Sequence, residues 1–322
     1  MPDEQKAEGQ TAQAPSTDAP AEEPSRDRTD ILWPFLALPG TYWLVFLFLV
    51  PFYGIMAVAF SDPDRLTLIT QQPIPEWNPL QWNFSTMTDV IANSFNGTYQ
   101  SPWIHTFVYT ICAMTLCVLI GYPVAYYVAR LAGRRRGLLL ALILLPWWIN
   151  YLTRMLAWVG LLQGDGYVND FLGVFGVAPI DFLQGHWYVV VIGLAYGYMP
   201  FFIIPLYASL DRIDQRLLEA SRDLGKGPVR TFFHVTLPLS RIGLITALVI
   251  TALPMFGDYY TNTLVSNSPS TSMIGNSIEK ALATGFSRAQ GASLVLLLSL
   301  VLLFFMAYYL VLTQRAAKEA ER

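Results

Sequence analysis

Charge is what this 322-residue chain has least of: 13% of its residues are Asp, Glu, Lys or Arg, where soluble globular domains carry roughly 25%. With 54% of the residues hydrophobic, a fold of this size lacks the polar cover that water requires, and a bilayer is the expected solvent. Cysteine is scarce too. Cys112 and Cys117 lie in one apolar stretch and read as small buried hydrophobes rather than a disulfide or a metal pair. The three histidines, His105, His186 and His234, are far apart and match no zinc spacing. Gly225-Lys226-Gly227 lacks the G-x-x-x-x-G-K-[ST] spacing and a flanking strand, which excludes a phosphate-cradling loop. With neither a nucleophile elbow nor a paired acid and base, no catalytic residue, cofactor or metal is expected, and no nucleic acid among the partners. Residues 1–30, rich in Ala, Pro, Glu and Gln, have too little apolar surface to fold. They also lack the basic start and short apolar run of a cleaved signal peptide, and read as a disordered cytoplasmic tail.

What is abundant is long apolar sequence. A membrane span needs about 20 mostly apolar residues, and six stretches qualify: 31–60, with its core at 35–58, then 104–129, 137–162, 187–210, 242–265 and 291–313. The expected fold class is all-α, a polytopic membrane protein with six transmembrane helices. Pro51, Pro123, Pro146, Pro200, Pro205 and Pro254 fall within or at the ends of these stretches. Lipid-buried helices tolerate such breaks when neighbours satisfy the freed carbonyls, so these prolines either kink the spans or line a moving path.

The basic residues orient the chain. Sixteen Lys and Arg lie in the first tail, between spans two and three, between spans four and five, and after span six, against Arg65, Lys280 and Arg288 in the other loops, with Arg154 left inside a span. The positive-inside rule then predicts that both termini are cytoplasmic. On the outer side, loop 61–103 holds Trp77, Trp82 and Trp103 and is stiffened by Pro63, Pro73, Pro75 and Pro79. These tryptophans fit interface anchors or a docking surface for an external partner. The stretch 164–185, rich in glycine and aspartate, is expected to hold a short interfacial helix.

Between spans four and five the chain turns polar, reading EASRDLGKGPVRTFFHVTLP over 219–238. Asp214 fits an N-cap, and Leu217, Leu218, Ser221 and Leu224 fall on one helical face. Gly225 fits the left-handed position just past a helix end. Gly227-Pro228 restarts a second helix, with Pro at its first position and Phe232, Phe233 and Val235 on its apolar side, and Pro238 is expected to end it before span five. By pattern alone, the segment is either an amphipathic loop on the lipid surface or a surface for a partner.

Glu219-Ala220-Ser221, Gly225 six residues after the glutamate, and Leu237-Pro238 resemble the EAA signature of ABC-importer permeases. Ser221 stands where that family usually has a second alanine. The resemblance implies a type I ABC-importer permease fold and a coupling helix, within loop 211–241, that docks on a separate ATP-binding subunit. Glu219, Ala220, Ser221, Asp223, Leu224, Gly225, Leu237 and Pro238 would be the coupling residues. A further stretch, Pro146-Trp147-Trp148 to Arg154-Met155-Leu156-Ala157-Trp158, resembles the third span of spermidine/putrescine permeases. Gly166-Tyr167-Val168-Asn169, Phe256-Gly257-Asp258-Tyr259 and Gly291-Ala292 also resemble stretches of that family, whereas Leu264-Val265-Ser266-Asn267 departs from its Leu-Leu-Gly-Gly. The resemblance covers residues 31–313, with 104–313 as the permease core and 314–322 a cytoplasmic tail. It implies a bacterial inner-membrane importer for a polyamine. The implied partners are an ATPase dimer, a second homologous permease, an extracytoplasmic solute-binding protein and membrane lipid.

Ionisable groups inside spans mark pathways. Arg154 sits about 17 residues into a straight third helix, roughly 26 Å along it, either as a fixed charge at an outer gate or as a partner for Asp258 or backbone carbonyls. Asp258 suits a cationic amine unless Arg154 neutralises it. Tyr196, Tyr198, Tyr259 and Tyr260 offer ring faces to a cation, so Asp258, Arg154, Tyr259 and Trp158 are the candidate cargo-path residues. The rival class is an ion-gradient-driven secondary transporter, whose folds show inverted repeats; no internal repeat is evident here. A permease for another small organic solute is the nearer alternative.

Overall fold

The computed structural model describes residues 28–62, 74–266, 268–283 and 288–320. Residues 1–27, including most of the expected tail, and Pro63, Arg65 and Pro73 of the long loop lie outside them. The described residues form fourteen α-helices: α1 Arg28–Ala59, α2 Ser85–Asn96, α3 Gln100–Leu116, α4 Tyr122–Arg130, α5 Arg136–Leu144, α6 Tyr151–Leu162, α7 Tyr167–Val174, α8 Trp187–Asp211, α9 Gln215–Asp223, α10 Pro228–Thr231, α11 Leu237–Phe256, α12 Tyr260–Val265, α13 Ile274–Ala283 and α14 Arg288–Ala320. The first compact unit ends at Phe52, and Tyr53–Arg322 is the second. In the first, Trp43, Leu44 and Phe48 are exposed, as on a helix solvated by lipid.

Among the described residues, five helical stretches are long and apolar enough to cross a bilayer: Ala37–Ala59, Gln100–Arg130, Trp187–Asp211, Pro228–Phe256 and Arg288–Arg315. The sixth apolar stretch departs from expectation. It is a bent pair, Gly133–Trp148 and Tyr151–Val174, meeting at 89°. The bend falls at Ile149-Asn150, where both residues are extended and the Asn150 side chain caps α6 by accepting from the Leu152 N–H at 2.8 Å. A depth counted along a straight third helix therefore does not apply to Arg154, which lies one turn past the break.

Pro123 and Pro238 are absorbed by widened turns without ending a helix. A π-turn over Cys117–Gly121 precedes Pro123, and another over Phe232–Thr236 precedes Pro238. A helical proline supplies no N–H and its ring collides with the carbonyl four residues back. Here that carbonyl, of Leu119 or His234, lies in a turn widened to i→i+5 bonding, as when the Leu237 N–H donates to Phe232 O, and the helix continues. The expectation that Pro238 ends the second helix is corrected: α10, the π-turn and α11 form one rod.

The α8 helix is the hub, with 61% of its most apolar window buried against 11% for α14. Its core residues Val190, Leu194, Phe202 and Leu206 are buried among side chains of α3, α4, α6 and α11. In lipid, where helices gain nothing by hiding apolar surface, close backbone approach decides packing. Gly193 and Gly197, one turn apart on α8, provide it. A Cβ on Gly193 would lie 2.8 Å from Thr261, and one on Gly197 would lie 2.8 Å from the Tyr151 ring. A second core joins α2, α3, α11, α13 and α14 through Val90, Trp103, Phe256, Ile274 and Leu294.

Two of the three tryptophans of loop 61–103 pack inward. Trp103 is buried and donates to Ser94 Oγ at 3.2 Å, and Trp82 stacks on Phe60 at 4.8 Å and donates to Glu76 O at 2.9 Å. Trp77 alone of the three is widely exposed. In the glycine-rich stretch, α7 is the expected short helix. Asn169 pins it by donating to Gln163 O and Ile180 O and accepting from the Ile180 N–H, each at 2.9 Å.

Candidate functional site

Helix α9 begins at Asp214, whose carboxylate accepts from the Arg216 N–H at 2.9 Å. It ends at Gly225, at φ +78°. The Gly225 N–H donates to Arg222 O at 2.8 Å and the Lys226 N–H to Ser221 O at 3.2 Å, the paired bonds of a Schellman motif. Gly227-Pro228 then starts α10. Two sides of α9 differ in exposure. Leu218 and Ser221 are buried, and the Ser221 hydroxyl lies 3.2 Å from that of Thr231 on α10. Leu217, Ala220 and Leu224, on the adjoining side of the helix, are exposed, as are Val229 and Phe233 on the segment that follows. Of the apolar face expected for Leu217, Leu218, Ser221 and Leu224, the Leu218–Ser221 edge is buried and the Leu217–Leu224 edge exposed. Ser221 joins the two helices and is not available for close approach by a partner.

Glu219, Asp223 and Gly225 are exposed, Leu237 half-buried and Pro238 exposed. Gln215 donates to Glu219 Oε1 at 3.1 Å. The segment is tied to the bundle through Phe232, whose ring meets Tyr122 and Tyr126 edge-on at 5.5 and 5.8 Å. Tyr122 in turn shares a hydrogen bond with Ser240 at 2.8 Å. Arg130, at the end of α4, donates to the carbonyl of Leu210 in the last turn of α8 and to that of Ile213 just beyond it, setting a cation at the negative end of the helix dipole. Hydrogen bonds from a charged group are worth about 1.5–3 kcal/mol each, so Arg130→Met should lower the thermal midpoint of the detergent-solubilised protein by several degrees; an unchanged midpoint would show that the cap carries no stability.

The second constellation lies where two helix breaks meet over the Gly193–Gly197 face. Asp258 falls in the break between α11 and α12, not inside a continuous fifth span as expected from the sequence. Pro254 and Gly257 explain the interruption, one unable to extend the hydrogen-bond ladder and the other weakening the helix. Asp258 is 6% exposed. Its Oδ2 accepts from the hydroxyls of Tyr198 at 2.8 Å, Tyr151 at 3.0 Å and Thr261 at 2.8 Å, and its Oδ1 from the Thr261 N–H at 2.9 Å. The Tyr151 and Thr261 hydroxyls also lie within hydrogen-bond distance of each other, so their two protons are shared among three contacts. Donors from three elements converge on this carboxylate, so it is a staple between α6, α8 and the break.

Arg154 does not pair with Asp258. Its guanidinium carbon lies 5.4 Å from the centroid of Tyr151 and 6.0 Å from that of Tyr196, within cation–π range. The residue is 7% exposed, and its Nε has no hydrogen-bond partner. Trp158 meets Tyr196 edge-on at 5.4 Å. Tyr259 stands apart, stacked on Tyr260 at 4.1 Å. Of the four candidate path residues, Arg154 and Asp258 are thus joined through Tyr151, Trp158 through Tyr196, and Tyr259 takes no part. Beside them a cleft of about 270 Å³ is lined by Trp147, Trp148, Asn150, Tyr151, Arg154 and Tyr198, among others. Sequence reasoning missed Tyr151 and Thr261 entirely and valued Tyr198 only for its ring. No spacing marks them, because Tyr151 and Tyr198 reach Asp258 across 107 and 60 residues.

Residues 118–318 match the model of a family described as binding-protein-dependent transport system inner membrane component. The chain belongs to this family. It is 32% identical over 270 residues to the spermidine/putrescine transport system permease protein PotB of Haemophilus influenzae, across 83% of this chain and 89% of that relative. To the protein of the same name from Escherichia coli K12 it is 30% identical over 269 residues, across 82% of this chain and 92% of that one. The fold is shared with a chain of a bacterial alginate ABC transporter crystallised in complex with an alginate pentasaccharide-bound periplasmic protein. The TM-score is 0.69 at 16% identity, over 90% of this chain and 96% of that chain. The all-α, multi-span architecture is therefore that of an ABC-transporter permease, and the protein is a multi-pass inner-membrane permease subunit of an ABC importer. Within this permease, the exposed face of α9 and the cleft at the third-span break are two of the surfaces not consumed by internal packing.

Proposed function

We propose that this permease carries polyamines, with putrescine and spermidine as cargo, and that ATP is hydrolysed on a separate subunit. The carrying observation is the 32% identity over 83% of the chain to a spermidine/putrescine permease. Aromatic walls at the cleft, Trp147, Trp148, Tyr151 and Tyr198, suit alkylammonium groups, which are attracted to ring faces. The basic loops and both termini face the cytoplasm, following the sixteen-to-three bias of Lys and Arg. A dimer of ATP-binding subunits docks on the exposed face of α9, where Leu217, Ala220 and Leu224 supply apolar contact, Glu219 and Asp223 charge, and Gly225 the turn. Force entering there passes through Ser221–Thr231 and Phe232 to Tyr122 and Tyr126 of α4, and along the rod through Leu237 and Pro238 to the Asp258 break. A second, homologous permease completes the pathway, and a solute-binding protein delivers cargo at the far side. Alternating access then follows from rigid-body rocking of packed helices.

The test is ATP hydrolysis by the assembly of this permease, its partner permease, the ATP-binding subunits and the binding protein in proteoliposomes. Binding protein loaded with putrescine or spermidine is expected to raise hydrolysis severalfold over the unloaded protein. Equal rates with and without polyamine would remove polyamines as cargo.

A further inference from the structure

Arg154 is anomalous. Its guanidinium carries five N–H donors, yet among the described residues it meets no protein acceptor, and its Nε is buried without a partner. What holds it is the faces of Tyr151 and Tyr196. The ring of Tyr151 is unusually suited to a cation, since its hydroxyl donates to the Asp258 carboxylate, which places negative charge behind it. Tyr196 is backed by Trp158. Arg154 and Tyr151 also line the cleft itself, so the cation on these rings borders the space that a ligand would enter.

We infer that the Tyr151–Tyr196 pair is an organic-cation subsite that Arg154 occupies from within, so that the guanidinium and a cationic ligand compete for the same ring faces. The inference rests on the polyamine reading for the identity of the natural competitor, though the geometry itself requires only an alkylammonium or guanidinium group. A tethered occupant competes at high effective concentration, and the wild-type subsite therefore binds free cations weakly. The buried charge has a carboxylate nearby and aromatic faces in place of an ion pair. It can leave the rings without breaking a hydrogen bond to protein, as a displaceable plug must. Asp258 acts through Tyr151 and is a positioning residue.

The experiment measures binding of radiolabelled methylguanidinium and of radiolabelled putrescine to the permease–ATPase assembly in nanodiscs without the binding protein. Arg154→Gln, which removes the charge, should tighten methylguanidinium binding at least about tenfold, or about 1.4 kcal/mol. Arg154→Lys keeps a competing cation and should stay near wild type, and adding Tyr196→Leu to Arg154→Gln should abolish the gain. Arg154→Met serves as a second neutral variant. No gain in either neutral variant, or a gain that survives Tyr196→Leu, overturns the subsite. Failure of both to assemble with the ATPase also overturns it, because it would make Arg154 a structural strut. Tighter methylguanidinium without tighter putrescine keeps the subsite and removes polyamines as its ligand. Polyamine-stimulated ATP hydrolysis in the wild type with no gain in Arg154→Gln keeps the cargo and removes the subsite.

Discussion

Asp258→Ala is expected to destabilise the permease more than any other single substitution considered, by on the order of 3–5 kcal/mol. The carboxylate is the common acceptor for Tyr151, Tyr198 and both donors of Thr261. Removing it strands those groups and leaves Arg154, 7% exposed, without its compensating charge. Asp258→Asn should lose most of the same stability, because half of an amide is a donor and would confront hydroxyls that are already donors. The measurement is the thermal midpoint of the solubilised protein alongside cargo binding by the assembled transporter. A large fall in midpoint identifies a staple. An unchanged midpoint with lost cargo binding would instead identify Asp258 as a direct ligand.

The second large effect falls at the other end of the bundle. Gly225 holds φ +78° with no atom within 4 Å of where a Cβ would stand, so its constraint is conformational and not steric crowding. A left-handed L-residue costs about 1–2 kcal/mol, and a β-branched one is a worse fit to this region. Gly225→Val should therefore unwind the end of α9, misplace Leu224 and the start of α10, and cut uptake at least about tenfold. Because no core contact is lost, expression and membrane insertion should hold. Glu219→Trp should also lower uptake, by crowding the exposed face. ATP hydrolysis persisting while uptake falls would mark uncoupling. Normal uptake in both variants would move the ATPase contact away from α9.

The spans and their order were readable because a run of about 20 apolar residues is itself the physical requirement for crossing a bilayer. The turn at Gly225 was readable for a local reason as well: a glycine after a polar helix, followed by Gly-Pro, has few other conformations open to it. The third span was not readable as a bent pair. Asn150 inside an apolar run is a cap signal, but the neighbouring Pro146 is equally consistent with a simple kink. Pro238 looked like a helix end because a π-turn leaves no mark in sequence. The Asp258 cluster was invisible for a different reason. Its donors come from three elements, and a hydroxyl on an apolar helix carries no signal about which distant carboxylate it will meet. The glycines beneath that cluster became meaningful only when Tyr151 and Thr261 were found packed against them.

On the proposed function, this chain turns ATP hydrolysis on a partner into movement of a polyamine. Accumulation of radiolabelled spermidine in proteoliposomes containing the complete assembly tests it most directly. With saturated binding protein on one side and ATP on the ATPase side, spermidine should accumulate against its gradient, and Gly225→Val should abolish most of that accumulation. Spermidine levels equal to those without ATP, in an assembly that hydrolyses ATP, would contradict the account.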